Sequence, residues 1–161
     1  MRAALAALSF RDAVVLFPPA VALHVLEERP GFPVWARRFA SPRYSDRAYV
    51  VTHVLGIGLA LATALLLRAF PAPWLVFAFF ALVFGPGVLC NAFFHAGASI
   101  ASRTRCPGVV TGLAIYLPLS AWLATLAVRE GLIALPALGL ALAVAAVLHA
   151  LEVGHNVFAR W

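Results

Sequence analysis

Residues 24–33 read His24-Val25-Leu26-Glu27-Glu28-Arg29-Pro30-Gly31-Phe32-Pro33 and close an apolar run that starts near Phe10. Carboxylates favour helix N-termini, because the C-terminal end of the helix macrodipole is negative. Two adjacent glutamates at the C-terminal end of a greasy helix therefore need a compensating positive charge. Arg29 is one residue away, so a salt-bridged cap at a membrane interface is the plain reading of the pair taken alone. The rest of the chain asks for more.

Of 161 residues, 64% are hydrophobic and only 11% are charged. Soluble domains carry about a quarter charged residues, and the mean hydropathy here is +0.97. These values describe an integral membrane protein, and the length suits one domain, residues 1–161. All twelve basic residues are arginines, scattered through short connections without a long basic patch, which excludes a nucleic-acid partner. Cys90 and Cys106 form no CxxC and no zinc-type spacing, so both are expected as free thiols. The N-terminus shows no small-residue cleavage site before its apolar run continues, so a cleaved signal peptide is not expected.

A membrane span needs about 20 apolar residues. Five segments answer to that, at about residues 10–28, 48–67, 74–96, 109–128 and 132–155, and an all-α bundle of five transmembrane helices is expected. Pro and Gly mark the joins at Pro30-Gly31, Pro71-Ala72-Pro73, Pro107-Gly108 and Gly131. Pro18-Pro19 and Gly85-Pro86-Gly87 fall inside the first and third segments and are expected to kink them. Between the first two, Val34-Trp35-Ala36-Arg37-Arg38-Phe39 mixes aromatic and cationic residues, as a turn of helix on the headgroups would. Eight arginines (29, 37, 38, 43, 47, 103, 105, 160) fall on one side and four (2, 11, 68, 129) on the other. The positive-inside rule then puts the N-terminus outside and the C-terminus inside. A bacterial cytoplasmic membrane is the expected location.

In this arrangement all five histidines, His24, His53, His95, His149 and His155, fall in one slab near the cytoplasmic side. At about 1.5 Å rise per residue the slab is about 10 Å thick. Glu27, Glu28 and Glu152 share it, with Asn91 and Thr111. Helical spacing adds to the case. His24, Glu27 and Glu28 are i, i+3, i+4; Asn91 and His95 are i, i+4; His149, Glu152 and His155 step by three; Asp46, Tyr49, His53 and Gly56 follow one stripe. Ionisable residues within membrane spans are costly and face the bundle interior with partners. Imidazoles and carboxylates are ligand types for zinc, iron or manganese, and one or two divalent ions would supply the charge that Glu27-Glu28 needs. Di-metal bundles use Glu-x-x-His from two helices; Glu152-x-x-His155 has that order and His24-x-x-Glu27 reverses it. The expected metal ligands are His24, Glu27, His149 and Glu152, then His95, His53 and His155. Glu28 is the expected general base, with Asn91 and Thr111 orienting water or substrate. The first and last spans must then be neighbours.

The His24-x-x-Glu27-Glu28 signature, with Asn91-x-x-x-His95, Pro107-Gly108-x-x-Thr111 and His149-x-x-Glu152, resembles the HXXEE domain family of small integral membrane proteins. The resemblance implies that the His and Glu residues are the functional ones and names no substrate. The leading expectation is a metal-dependent intramembrane enzyme that hydrolyses, or directs oxygen at, a lipid or other apolar molecule. Membrane lipids and an apolar small molecule are the expected partners, and self-association into a homo-oligomer is an open option. A proton or divalent-cation transporter and a non-catalytic assembly protein are the alternatives. Glutamate-dependent intramembrane proteases also pair glutamates with later histidines, but the Arg and His-x-x-x-Asn of their pattern are missing here.

Overall fold

A computed structural model of the chain describes residues 8–155. Arg2 and Arg160 of the arginine tally lie outside the described residues. The chain opens with a helical turn at Phe10–Ala13, capped by Ser9: the Asp12 amide donates to the Ser9 hydroxyl, and the Asp12 carboxylate takes the Ser9 backbone N–H in return. A 3₁₀ turn, Val14–Leu16, follows, and then helix α1, Phe17–Glu28. Pro18 and Pro19 sit in the first turn of α1, where a missing N–H would have had no helical partner anyway. The double proline thus stands where the helical path from Phe10 changes from a 3₁₀ turn into α1.

That local chemistry corrects the expected number of spans. Four helices among the described residues are long and apolar enough to cross a membrane: α3 (Asp46–Ala69), α4 (Pro73–Ser102), α5 (Val109–Arg129) and α6 (Leu135–Val153). The first segment is not a fifth. The 12 residues of α1 measure about 18 Å, short of the roughly 30 Å hydrocarbon core. The whole helical path from Phe10 to Glu28, with its opening turns, nonetheless reaches from the Glu130 end of the bundle to the other. At one end the Phe10 N–H donates to Glu130 (2.7 Å), and Arg11 donates to the Arg68 and Ala69 carbonyls (2.8 and 2.7 Å), satisfying the C-terminus of α3. At the other end the last turn of α1 meets Tyr49, Arg105 and Thr111. A short helix, α2 (Phe32–Phe39), forms over the VWARRF stretch and buries Phe32, Pro33 and Ala36.

Pro86 has the effect expected of an interior proline. Over Phe79–Cys90 the turns of α4 widen to a π-type register, because Pro86 has no N–H to give and its ring displaces the carbonyl one turn back. α6 packs along this widened stretch, and α1 packs along α3. Gly85 makes the first contact possible, since a Cβ there would collide with the Phe80 carbonyl and the Ala145 methyl. The last helix therefore has α4 as its main neighbour, not the first segment as expected.

The interior falls into two halves. Toward the Glu130 end, Phe10, Phe17, Phe79, Phe80 and Phe84 are buried and stack edge-on and tilted, with centroids 4.9–6.5 Å apart. Toward the Arg-rich end, the buried groups include His24, Glu28 and His95.

Candidate metal centre

α1 carries His24 and Glu28 one turn apart, so both point the same way. Both are 2% exposed. α3 brings His53, α4 brings Asn91 and His95, and the start of α5 brings Thr111. The Glu28 carboxylate is the centre of the group. Its Oε1 lies 2.9 Å from His95 Nε2 and 3.5 Å from His24 Nε2; its Oε2 lies 2.9 Å from His53 Nε2 and 3.4 Å from the Tyr49 hydroxyl, which donates to it. One donor atom each from His24, Glu28 and His95 lies within 4.8 Å of the others, so these three are positioned to hold a metal ion.

The outer ring nitrogens show how these imidazoles are poised. Thr111 Oγ1 donates to Glu27 Oε2 (2.6 Å), so its lone pair faces His24 Nδ1 at 2.8 Å and that nitrogen carries a proton. His53 Nδ1 donates to the Tyr49 carbonyl (2.7 Å). Cys106 directs its S–H to the Pro107 carbonyl (3.7 Å), leaving sulfur lone pairs toward His95 Nδ1 at 3.3 Å. With Nδ1 as the donor in each ring, the Nε2 lone pairs face inward. Asn91 Nδ2 donates to that of His24 (3.0 Å), a bond that an ion at this nitrogen would displace. The other two stand 2.9 Å from the Glu28 carboxylate, a contact made favourable by positive charge there, a second proton on the ring or a metal ion. His95 Nε2 is shut off from solvent and faces Glu28 Oε1.

Cys106 is in the loop before α5 and is fully buried. Burial, then the charges of Glu28 and Glu27, push its thiol up to about 12. It therefore stays a thiol, and its part is to hold the His95 ring.

The two adjacent glutamates stand in different surroundings. Glu27, anticipated as a ligand, turns away from the cluster. It accepts from the Thr111 amide (2.7 Å), the Thr111 hydroxyl (2.6 Å), the Val110 amide (3.2 Å) and Arg105 (3.0 Å). It thus caps the N-terminus of α5, where a carboxylate is favoured. Burial alone would raise the Glu27 carboxyl, but the hydrogen bonds from Thr111, Arg105 and Val110 outweigh it and hold it down at about 2. Glu28, anticipated as a free base, sits among the histidines. The reason is helical phase: successive residues are about 100° apart, and His24 shares its face more closely with the residue four on.

Gly108 closes the cluster from the α5 side. Its φ of +96° suits glycine, and a Cβ would lie 2.8 Å from the Cε1 atoms of both His24 and His95 and 2.9 Å from Glu28 Cγ. The Pro107-Gly108-x-x-Thr111 spacing was visible in the sequence; the close approach it serves was not. Tyr116, which no spacing singled out, stacks on His24 with centroids 4.4 Å apart.

A cavity of about 340 Å³ opens beside the cluster. His24, Glu28, His53 and Asn91 line its inner end, and His149 and Glu152 of α6 line it as well. The structure thus brings His149 and Glu152 to the cavity and not into the ligand group. His155, past the end of α6, is exposed and is not among the cavity-lining residues.

No curated protein and no solved structure matches the chain. A family described as "Protein of unknown function with HXXEE motif" matches residues 15–123, the span that contains His24, Glu27, Glu28, His53, Asn91, His95 and Thr111. On that match and on the His24-x-x-Glu27-Glu28 motif that builds its buried cluster, the chain belongs to the HXXEE family.

Proposed function

We propose that the chain is a membrane-embedded, metal-dependent enzyme acting on a lipid or other apolar molecule, with His24, His95 and Glu28 as its metal ligands. The observation that carries this reading is the buried Glu28 carboxylate with the Nε2 atoms of His95 and His24 at 2.9 and 3.5 Å, donor atoms close enough to share one ion. Donors about 2.0–2.2 Å from one zinc ion stand roughly 3.3–3.5 Å apart; the Glu28–His24 separation of 3.5 Å is of that size and the Glu28–His95 separation of 2.9 Å is shorter. Two histidines and one carboxylate are the donor set of catalytic zinc sites and of the facial triad of non-haem iron enzymes. When bound, zinc supplies an activated water for hydrolysis, and iron supplies oxygen chemistry.

The chain's own residues divide the remaining work. Glu27 and Thr111 fix the His24 tautomer, and Cys106 orients His95, as partners outside the ligand set do at metal sites. His53, hydrogen-bonded to its own helix, stands on the second oxygen of Glu28 and can accept a proton there. The apolar part of the cavity brings substrate and keeps bulk water from it.

Transport is less well supported, because the aromatic stack of Phe10, Phe17, Phe79, Phe80 and Phe84 fills the other half of the interior and offers an ion nothing polar. The positive-inside rule adds orientation: the site end carries Arg29, Arg37, Arg38, Arg43, Arg47, Arg103 and Arg105, against Arg11, Arg68 and Arg129 at the other, and so faces the cytoplasm.

The test is elemental analysis of the purified protein, followed by incubation of the metal-loaded form with bilayer lipid under air and under nitrogen. Stoichiometric zinc with oxygen-independent product supports hydrolysis, and iron with oxygen-dependent product supports oxidation. Absence of metal from both the wild type and a wild type reloaded with zinc, iron or manganese would defeat the reading.

A further inference from the structure

The cavity has a second, apolar part that metal binding leaves without a use. From the Glu28 cluster it continues along Val21, Gly56, Leu59, Leu82, Val83 and Pro86, between α3 and α4. Leu59 and Leu82 are 52% and 59% exposed, so this part opens sideways at the depth of the spans, where a bilayer supplies chains and not water. His149 and Glu152 sit at the polar end. Both His149 ring nitrogens are shut off from solvent, and neither has a hydrogen-bond partner among the described residues. Two ring nitrogens shut off from solvent cost free energy unless something pairs with them. A carboxylate such as Glu152 accepts when ionised, and one nitrogen of a neutral imidazole accepts too, so a head group with a donor can pair with both.

Resting on the metal-site reading above, we propose that this cavity binds a single-chain lipid whose head group carries a hydrogen-bond donor, a hydroxyl or an amide. The head lies between the Glu28 cluster and the His149–Glu152 wall, and the tail runs along Val21, Gly56, Leu59 and Leu82. The lipid enters from the bilayer past Leu59 and Leu82. This arrangement presents the head-group end of the substrate to the cluster and leaves the tail to set affinity by its length. A two-chain lipid would have to leave one chain outside.

Gly56 provides the test. A Cβ built there meets nothing within 4 Å, and replacing an interior helical glycine favours the helix. Gly56→Leu and Gly56→Trp should therefore fold while filling the tail channel. Binding of a long-chain primary alcohol, its methyl ether and a short-chain alcohol is measured by native mass spectrometry on the wild type, both Gly56 variants and His149→Leu. Metal content and thermal stability are measured in parallel. The wild type should bind the long alcohol in preference to the ether and the short alcohol. Gly56→Trp should lose at least about tenfold in affinity for the long alcohol with metal content unchanged. Gly56→Leu, the gentler filling, should show the same direction if the larger ring impairs folding. His149→Leu should lose the preference for alcohol over ether. Equal binding of alcohol and ether by the wild type, or unaltered binding by both Gly56 variants, would overturn the lipid site. Either result would leave the metal reading standing, because metal content is read separately.

Discussion

The two halves of the interior are buried to the same degree and held together by different physics. In the aromatic half, Phe10, Phe79, Phe80 and Phe84 are no more than 1% exposed and satisfy one another by contact alone. In the polar half, His24, Glu28 and His95 are equally hidden, and the Glu28 carboxylate has the imidazoles of His95, His53 and His24 around it. Burying a charge costs several kcal/mol unless it is paired. The aromatic half is therefore complete as it stands, whereas the polar half depends on positive charge beside Glu28, which in the function proposed above a bound ion supplies. A single helical path, residues 10–28, runs through both.

The sharpest break of this comparison is a truncation in each half. His95→Ala removes a ligand and should abolish metal binding, and a chelator that lowers the thermal stability of the wild type should leave this variant unmoved. Phe79→Ala leaves a cavity and should cost about 3–5 kcal/mol, while the protein that remains folded keeps its full metal content. Loss of metal in Phe79→Ala at temperatures where it is folded would show that the halves are not separable.

Gly108→Ala should come next. The added methyl meets both histidines and Glu28 at once, and the positive φ strains any L-residue. Metal occupancy should fall to a small fraction of wild type, whereas Gly139→Ala, whose Cβ meets nothing within 4 Å, should be silent. Occupancy at saturating metal in each purified variant is the measurement.

Thr111→Val keeps the shape but removes the hydroxyl that links Glu27 to His24. Partners of this kind are worth about 10–100-fold in metal affinity, and competition with a chelator of known affinity would read the loss. The smallest effect belongs to Tyr49→Phe. Its hydrogen bond to Glu28 is long, 3.4 Å, and its loss should cost about 1 kcal/mol of stability or less, with metal retained.

Much of the polar half was legible in the sequence. The i, i+4 spacing of His24 with Glu28, and the common depth of His53, Asn91, His95 and Thr111, follow from helical rise and turn. The division between Glu27 and Glu28 was not legible. Adjacent residues differ by about 100° around the helix, and which one faces the cluster depends on how α1 is rotated against α5. The place of α6 was hidden for a related reason. His149 and Glu152 have ligand spacing, but α6 is seated by Gly85 and the widened turns around Pro86, and that seat puts them on the cavity wall. The count of spans failed on Pro18-Pro19, which hydropathy alone reads as one more apolar stretch.

The central claim is that Glu28 holds the ion and Glu27 holds the scaffold. Its most direct test is metal content, measured side by side on purified Glu27→Gln and Glu28→Gln. Gln keeps the volume of Glu and can still accept hydrogen bonds, but it lacks the charge a divalent cation needs. The account predicts that Glu28→Gln is folded and essentially free of metal, while Glu27→Gln keeps most of its metal and loses stability at the start of α5. Equal metal content in the two variants, or loss confined to Glu27→Gln, would contradict it.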